Sequence, residues 1–399
     1  MRRDMKRIFH PVGQGAFYSE EFCKEGGKVD FRIVYDCGTK TGKGKVAPVQ
    51  VVGSAFNDDG VPIDILFISH FDGDHVSMID ELRKHHFVKR VVLPLLPVEE
   101  SAVLQAYYNG VGNDAGFRLL SNPTGFFGSE TAVFRVEQAG DEPIRPLANG
   151  NELTKGFPAD ADVVIARPDG GRVNDQRGKI VNMPSVARIF VPRHSWCYIP
   201  YNYKYMDRHN ALVDKLNERK DIDRTRLGDA SYVSSIHTEL KEVYASLQKV
   251  KIGKTACGEI NENSMVVYAG PPSARREHGG WSVMILDTCE INCWRDDRPA
   301  CVYSGDSDFR KVKIHNVYGF VWGNVGMVQI PHHGSDGSFS AEFLDESNCS
   351  YVCPISAGRH NQHRHPSPNV LKDILVRHSF PLIVDERACS RLIQRVWEL

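Results

Sequence analysis

Residues 63–75 read Ile63-Asp64-Ile65-Leu66-Phe67-Ile68-Ser69-His70-Phe71-Asp72-Gly73-Asp74-His75. The nearly continuous apolar run over 63–68 is typical of a strand that is buried on both faces of a parallel sheet. Residues 76–86 then show the periodicity of a helix, and residues 88–93 form a second apolar run. Strand, helix and strand in this order predict a βαβ unit and therefore an α/β fold.

The loop behind the first of these strands carries four potential metal ligands within six residues, which are His70, Asp72, Asp74 and His75. A loop at the carboxyl end of a parallel strand can aim its side chains into one cleft. Two imidazoles and two carboxylates are suited to two adjacent divalent ions. His70 and Asp72 would serve one ion, and the other pair would serve the second. A solvated turn rarely shows this order of residues, so we interpret the loop as a metal site.

Three further polar loops also follow predicted strands. The first is Ser304-Gly305-Asp306, whose carboxylate is placed to bridge two metal ions. The second is Pro331-His332-His333-Gly334-Ser335, and the third is Arg359-His360-Asn361-Gln362-His363-Arg364-His365-Pro366. Gly-Asp alone would be ordinary turn chemistry. Four such loops in one α/β chain nevertheless indicate one shared metal centre.

Together these motifs resemble the metallo-β-lactamase-fold hydrolases, and specifically the ComEC-type branch. That branch reads His-x-Asp-x-Asp-His where most of the superfamily reads His-x-His-x-Asp-His. Further landmarks of the family follow in the same order, namely Val12-Gly13-Gln14-Gly15, Tyr35-Asp36-Cys37-Gly38 and Asn261-Glu262-Asn263-Ser264. The resemblance covers roughly residues 8–98 and 258–376. It departs from the family pattern at Ala16, where Asp is usual, and at Val76-Ser77-Met78, where Gly-Gly is usual.

The resemblance implies a metallo-β-lactamase αββα sandwich, in which two mixed sheets face each other and helices lie outside. Residues 1–100 would form the N-terminal half of this fold, and residues 256–399 the C-terminal half. The stretch between His75 and Asn263 is long. We therefore expect residues 101–255 to be an insertion that covers part of the metal cleft.

The ligand set and the resemblance together suggest how the metals would act. Two divalent ions, Zn²⁺ or Mn²⁺, would hold a bridging hydroxide and lower its pKa towards neutrality. Asp74 would be a ligand with a catalytic role, and Asp306 would bridge the ions. Asp72 in place of a histidine makes the site harder, which favours Mn²⁺ without excluding Zn²⁺.

The remaining roles concern three histidines and one aspartate. One of His332 and His333 would complete the metal shell, and the other would bind the substrate oxyanion. We assign His332 to the metal and His333 to catalysis, although the sequence leaves this choice open. His365 would donate a proton to the leaving group or act as a further ligand. Asp36 would orient a ligating histidine.

The middle of the chain offers weaker candidates for substrate binding. His194, Tyr203 and Lys204 lie in a segment that mixes aromatic and cationic groups, and such groups can stack bases and hold phosphates. A half-buried strand accounts for the same segment without a functional role. His194 is also our candidate for an extra metal ligand. Cys289, Cys293 and Cys301 lack a second pair at zinc-site spacing, which favours buried free thiols.

Composition excludes several classes of protein. An apolar fraction of 41% is ordinary for a globular chain and excludes a disordered one. The net charge of −1 gives the whole chain no attraction to polyanions or membranes. No apolar run reaches the ~20 residues that span a bilayer, and the charged N-terminus does not read as a signal peptide. Ten cysteines are too few for a disulfide scaffold. We expect a cytoplasmic protein with no membrane partner.

These observations predict a dinuclear metal-dependent hydrolase. We expect a phosphodiesterase or nuclease that acts on DNA, RNA or nucleotides, in a defence or mobile-element context. One alternative is a hydrolase of the same fold that acts on a carbonyl substrate such as a lactone, lactam or thioester. Another is a subunit of a larger complex, in which the 101–255 insertion binds a protein partner and the metal site is structural.

Overall fold

The computed structural model describes residues 4–24, 26–41, 48–56, 60–140, 161–247, 250–252, 255–256, 263–273, 281–286, 298–346 and 349–397. Cys289 and Cys293, two of the three cysteines considered above, lie outside these residues. Within the described part of the chain, no helix is long and apolar enough to cross a membrane.

The first sheet is parallel on one side and antiparallel on the other. In spatial order it contains β10 (Ile180–Met183), β6 (Ala132–Val136), β5 (Arg90–Pro94), β4 (Ile65–Phe67), β3 (Val29–Thr39), β2 (Gly15–Cys23), β1 (Asp4–Phe9), β21 (Leu392–Trp397) and β16 (Trp281–Leu286). Strands β10 to β3 run parallel, and β3 to β16 pair antiparallel. The predicted βαβ unit is β4 and β5 with the helical turns between them.

The second sheet is built in the same mixed way. Its main path contains β20 (Phe380–Val384), β19 (Val352–Ser356), β18 (Val325–Val328), β17 (Ala300–Tyr303), β15 (Val266–Gly270), β12 (Trp196–Tyr203), β11 (Arg188–Val191), β8 (Val164–Ala166) and β9 (Arg172–Val173). Strands β17 to β20 run parallel, and the others on the path pair antiparallel. The short β7 (Gln138–Ala139) pairs with β12, and β13 (Lys251–Ile252) forms a hairpin with β14 (Thr255–Ala256).

The two sheets pack face to face over an aromatic core. Tyr303 on the second sheet stacks on Tyr18 and Tyr35 of the first, with ring centroids 5.9 and 4.9 Å apart. A fully buried ion pair lies in the same layer, because Arg7 is 2.7 Å from Glu20. The hydroxyls of Tyr198 and Tyr303 also donate to Glu20, so its charge is satisfied from the opposite sheet.

Helices cover the outer face of each sheet. Those over the first sheet are α1 (Pro48–Gly53), α2 (Gly73–Val76), α3 (Ile79–His85), α4 (Val98–Val111), α5 (Asp114–Ser121), α6 (Pro123–Phe127), α7 (Met206–Asn217), α8 (Ala230–Ser235) and α9 (His237–Leu247). Those over the second are α10 (Ile314–Val317), α11 (Glu342–Asp345) and α12 (Pro368–Val376). Apolar side chains from the helices and the outer sheet faces form one core on each side. The predicted α/β fold, an αββα sandwich, is confirmed.

Residues 101–255 are woven into this sandwich. The segment supplies β6 and β10 to the first sheet, and β8, β9, β11 and β12 to the second. Its helices α7 and α9 pack against α4 on the outside of the first sheet. The division of the chain at residues 100 and 255 stays a prediction.

Candidate metal centre

The polar loops meet where parallel strands of both sheets end. Strand β4 leads into the loop 69–75, β17 into 304–306, and β18 into 330–335. The close approach of two backbones fixes the first loop, because a Cβ at Gly38 would lie 2.5 Å from the backbone nitrogen of Val76. Glycine at this position therefore lets helix α2, which carries Asp74 and His75, lie directly on β3.

Five side chains from these loops lie together in the buried interior of the site. His75 Nε2 is 3.2 Å from Asp306 Oδ1, and His70 Nε2 is 3.7 Å from Asp306 Oδ2. His333 Nε2 is 3.2 Å from Asp74 Oδ2. Two overlapping groups of potential ligand atoms result, each within 4.8 Å, and His75 belongs to both. One group adds His70 and Asp306, and the other adds Asp74 and His333.

The donor set fits divalent metal ions. The Nε2 atoms of His70 and His75 are buried, and neither makes a well-aligned hydrogen bond among the described residues, although Asp306 Oδ1 lies 3.2 Å from His75 Nε2. A buried polar atom without a partner is costly, and a cation held between imidazole nitrogens and carboxylate oxygens would satisfy both atoms. Zn²⁺ and Mn²⁺ both accept this mixture of nitrogen and oxygen ligands.

Asp36 holds the ring of His75 from the side opposite the ligand nitrogen. Its Oδ2 lies 2.8 Å from His75 Nδ1, and both side chains are fully buried. Burial alone would lower the pKa of His75, but the carboxylates of Asp306 and Asp36 outweigh it and raise this pKa well above its ordinary value. Ser69 fixes Asp36 in turn, because its backbone N–H and its hydroxyl each donate to the carboxylate at 2.7 Å. Asp36 thus has the position that we predicted for an orienting carboxylate.

The other two imidazoles are also held through Nδ1. Ser69 Oγ, which donates to Asp36, lies 2.9 Å from His70 Nδ1 and can accept a hydrogen bond from the N–H of that ring. His333 Nδ1 donates to the backbone oxygen of Ser356 at 2.7 Å. Each of these contacts leaves Nε2 as the nitrogen that faces the site. Burial and the neighbouring His75 lower the pKa of His70, which favours its neutral, ligating form.

The structure places the two histidines of the pair differently. His333 is buried and belongs to a potential ligand group with Asp74 and His75. His332, which we assigned to the metal, has a side chain 30% exposed and its Nε2 is 3.9 Å from Asp306. Both residues adopt positive φ values, 49° and 55°, and this local backbone decides which ring points inward. His332 is therefore at the mouth of the site, where it can contact substrate.

Asp72, another predicted ligand, is outside both ligand groups. Its Oδ1 accepts a hydrogen bond from Tyr108 at 2.8 Å, and its Oδ2 is 3.7 Å from Lys40 Nζ. Lys40 also lies 2.9 Å from Asp74, and the two carboxylates raise its pKa against the effect of burial. Sequence reasoning missed Lys40 and Tyr108. Lys40 stands two residues past Asp-Cys-Gly at the end of β3, a position that could have suggested it.

His365 lies beside the exposed histidine of the pair. Its ring centroid is 6.1 Å from that of His332 and 5.6 Å from that of His363. Burial, helped by the positive field of His332, lowers the pKa of His365 to about 4. The ring is therefore neutral near pH 7. Of the two roles that we considered for His365, a neutral imidazole suits the further ligand better than the proton donor.

None of the substrate-binding residues predicted in the middle of the chain belongs to the two ligand groups. His194 Nε2 lies 3.1 Å from Asp30 Oδ1, near the start of β3. Asp36 is six residues further along that strand, about 20 Å away at roughly 3.3 Å per residue. Tyr203 packs edge-on against Tyr205, and Lys204 is exposed. We therefore exclude His194 from the site, both as a ligand and as a substrate contact.

Comparison with known proteins agrees with this geometry. Residues 27–142 match the model of the metallo-beta-lactamase superfamily, a segment that includes the loop 69–75 and continues past residue 100. No curated protein matches the chain. The match and the two ligand groups imply a metal-dependent hydrolase.

Proposed function

We propose that the protein is a dinuclear metal-dependent phosphodiesterase that acts on DNA, RNA or nucleotides. The observation that carries this proposal is the pair of overlapping ligand groups that share His75. The predicted kinship with the ComEC-type branch, which rests on the sequence motifs, supports the same chemistry.

The residues of the chain prepare the site for metal-assisted hydrolysis. Bound divalent ions would supply Lewis acidity and lower the pKa of a water ligand. Asp36, Ser69 and the carbonyl of Ser356 keep three imidazoles turned so that Nε2 faces the cleft. His332 and the neutral His365 stand at the mouth, where they can hold or accept a proton from a bound substrate.

Cationic groups around the mouth favour a phosphodiester over a carbonyl substrate. The Lys40 side chain is 56% exposed beside the two carboxylates of the loop. The segment that carries His365 also exposes Arg359 and Arg364. Lysine and arginine bind the phosphates of nucleic acids, whereas a neutral lactone or thioester would gain little from them.

The test compares two small substrates in the same metal-loaded protein. Bis(p-nitrophenyl) phosphate reports phosphodiester hydrolysis, and p-nitrophenyl acetate reports attack on an ester. We expect Mn²⁺ or Zn²⁺ to support hydrolysis of the phosphodiester, and Asp306→Asn to abolish it. Lys40→Met should lower kcat/KM for the phosphodiester but not for any residual ester hydrolysis.

Lys24→Met provides the matched control, because this lysine is 59% exposed, much as Lys40 is, and also pairs with a carboxylate, that of Asp30 near the start of β3. It should leave both rates unchanged. Ester hydrolysis that depends on metal and exceeds phosphodiester hydrolysis would overturn the proposal and favour a carbonyl substrate.

A further inference from the structure

A cavity next to the metal centre is lined by none of the potential metal ligands. Its volume is about 290 Å³. Leu93, Pro94 and Leu95 at the end of β5 and Arg135 on β6 line its base, and α4, α5 and α8 form its walls. The carboxyl ends of parallel strands are where open α/β sheets bind ligands. A cavity of this size is near the lower end of the roughly 300–1,000 Å³ of small-molecule sites.

The lining of this cavity is apolar apart from one cation and a few neutral polar groups. Leu93, Leu119 and Val233 are almost fully buried in its walls. Arg135 is the one charged side chain among the described residues that line it. On β6 it pairs in register with Leu93, and its neighbour Val133 belongs to the core beneath the helices. Arg135 therefore projects on the helical side of the sheet, into a space that is also lined by apolar side chains and a few neutral polar groups.

The charge of Arg135 has no counterion within the described part of the chain. Burial lowers its pKa, and no carboxylate opposes this effect. Arg90 on the adjacent strand is different, because its guanidinium lies 2.6 Å from Asp175. A partly buried charge without a partner costs free energy, which an anion in the cavity would recover.

We propose that this cavity, the Arg135 pocket, binds a small anion with an apolar body. The carboxylate or phosphate of the ligand pairs with the guanidinium of Arg135. Its apolar part lies against Leu93, Leu119 and Val233. Phe71 also lines the pocket, so the bound molecule touches the loop between His70 and Asp72 without replacing a metal ligand. The site is distinct from the phosphodiester site proposed above.

Calorimetric titration of the metal-loaded protein with octanoate, octyl phosphate and octanol tests the proposal. The three probes share one apolar chain and differ in the head group. We expect at least one of the two anions to bind at least tenfold more tightly than octanol, and the two anions separate a carboxylate from a phosphate preference. Arg135→Met should abolish this difference. Arg177→Met, which removes an exposed arginine outside the pocket, should preserve it.

A second variant distinguishes binding in the pocket from binding at the metal centre and does not depend on the folding of Arg135→Met. Ser101 lines the pocket from α4, so Ser101→Phe fills the space and leaves Arg135 in place. It should abolish binding of all three probes, even if Arg135→Met fails to fold. Anion binding that survives Ser101→Phe would place the anion at the metal centre instead. Equal affinity for octanol and both anions, or no binding of any probe to the wild type, would also overturn the proposal.

Discussion

Replacing Asp36 by asparagine would remove the charge that orients His75 and keep the shape of the side chain and the backbone conformation. The backbone of Asp36 has a φ of 54°, in the left-handed region that asparagine tolerates as well as aspartate. The backbone N–H of Ser69 donates to Oδ1 and can donate equally to an amide oxygen. The loss is therefore confined to Oδ2, which faces His75 Nδ1 at 2.8 Å and also accepts a hydrogen bond from the Ser69 hydroxyl at 2.7 Å.

The size of the effect follows from the burial of this contact. Asp36 and His75 are at most 1% exposed, so their hydrogen bond is charge-assisted and hardly screened by solvent. Hydrogen bonds to charged groups contribute roughly 1.5–3 kcal/mol. Loss of a carboxylate that orients a ligating histidine weakens metal binding about 10–100-fold, or about 1.4–2.7 kcal/mol. The two ranges overlap, so we expect Asp36→Asn to weaken metal affinity by one to two orders of magnitude.

Competition with a chromophoric chelator for Mn²⁺ or Zn²⁺ measures this affinity. Asp64→Asn is the matched control, because Asp64 is also buried. It directly precedes β4, and His70 lies in the loop after this strand. It accepts hydrogen bonds from the backbone of Arg32 and from Lys89. The control should lower the free energy of unfolding and leave metal affinity unchanged. Wild-type affinity in a folded Asp36→Asn variant, or an equal loss in Asp64→Asn, would refute this reasoning.

Three further substitutions have defined outcomes. Burial lowers the pKa of His10 to about 3, so below its ordinary pKa of 6.5 the unfolded chain binds a proton that the folded chain does not. The free energy of unfolding therefore falls on acidification by up to about 1.4 kcal/mol per pH unit. Denaturant titrations at roughly pH 5 to 6.5 should show that this free energy depends less steeply on pH in His10→Gln than in the wild type. An equally steep pH dependence in both proteins would contradict this. Gly38→Ala places a methyl group 2.5 Å from a backbone nitrogen of α2 and should lower the free energy of unfolding by about 1–3 kcal/mol. Gly323→Ala adds its methyl group to open space and should leave the free energy of unfolding unchanged. Equal losses of this free energy in urea titrations of the two variants would rule out the proposed clash. Lys40→Met removes a cation 2.9 Å from Asp74 and should tighten metal binding by about two- to fivefold, because Lys40 is more than half exposed. Weaker binding in the chelator assay would show that Lys40 supports the site instead of competing for it.

The position of the metal centre could be predicted because the relevant residues share a topological rule. His70 and Asp306 each follow a buried strand, and the carboxyl ends of parallel strands meet at one edge. Local spacing and apolar runs are enough to predict both the strands and the residues that follow them. The αββα arrangement followed from the resemblance, and the structure confirms it.

Side-chain orientation was beyond the reach of the sequence. Which of His332 and His333 faces inward depends on two residues with positive φ, a conformation that no spacing rule predicts for histidine. Tyr108 reaches Asp72 from the last turn of α4, 36 positions along the chain, so only the packed fold shows the contact. The aromatic surroundings of His194 resemble a binding segment in the sequence, while its pairing with Asp30 is set by how the two sheets stack.

Incubation of labelled single- and double-stranded DNA and RNA with the Mn²⁺- or Zn²⁺-loaded protein tests the proposed activity most directly. The parallel reaction contains the Asp74→Ala, His75→Ala double variant, which removes Asp74 from the group with His333 and removes the ligand shared by both groups. We predict metal-dependent cleavage of at least one nucleic acid by the wild type and none by the double variant. Failure of a folded, metal-loaded wild type to cleave any of them, or equal cleavage by the double variant, would contradict a nuclease built on these residues.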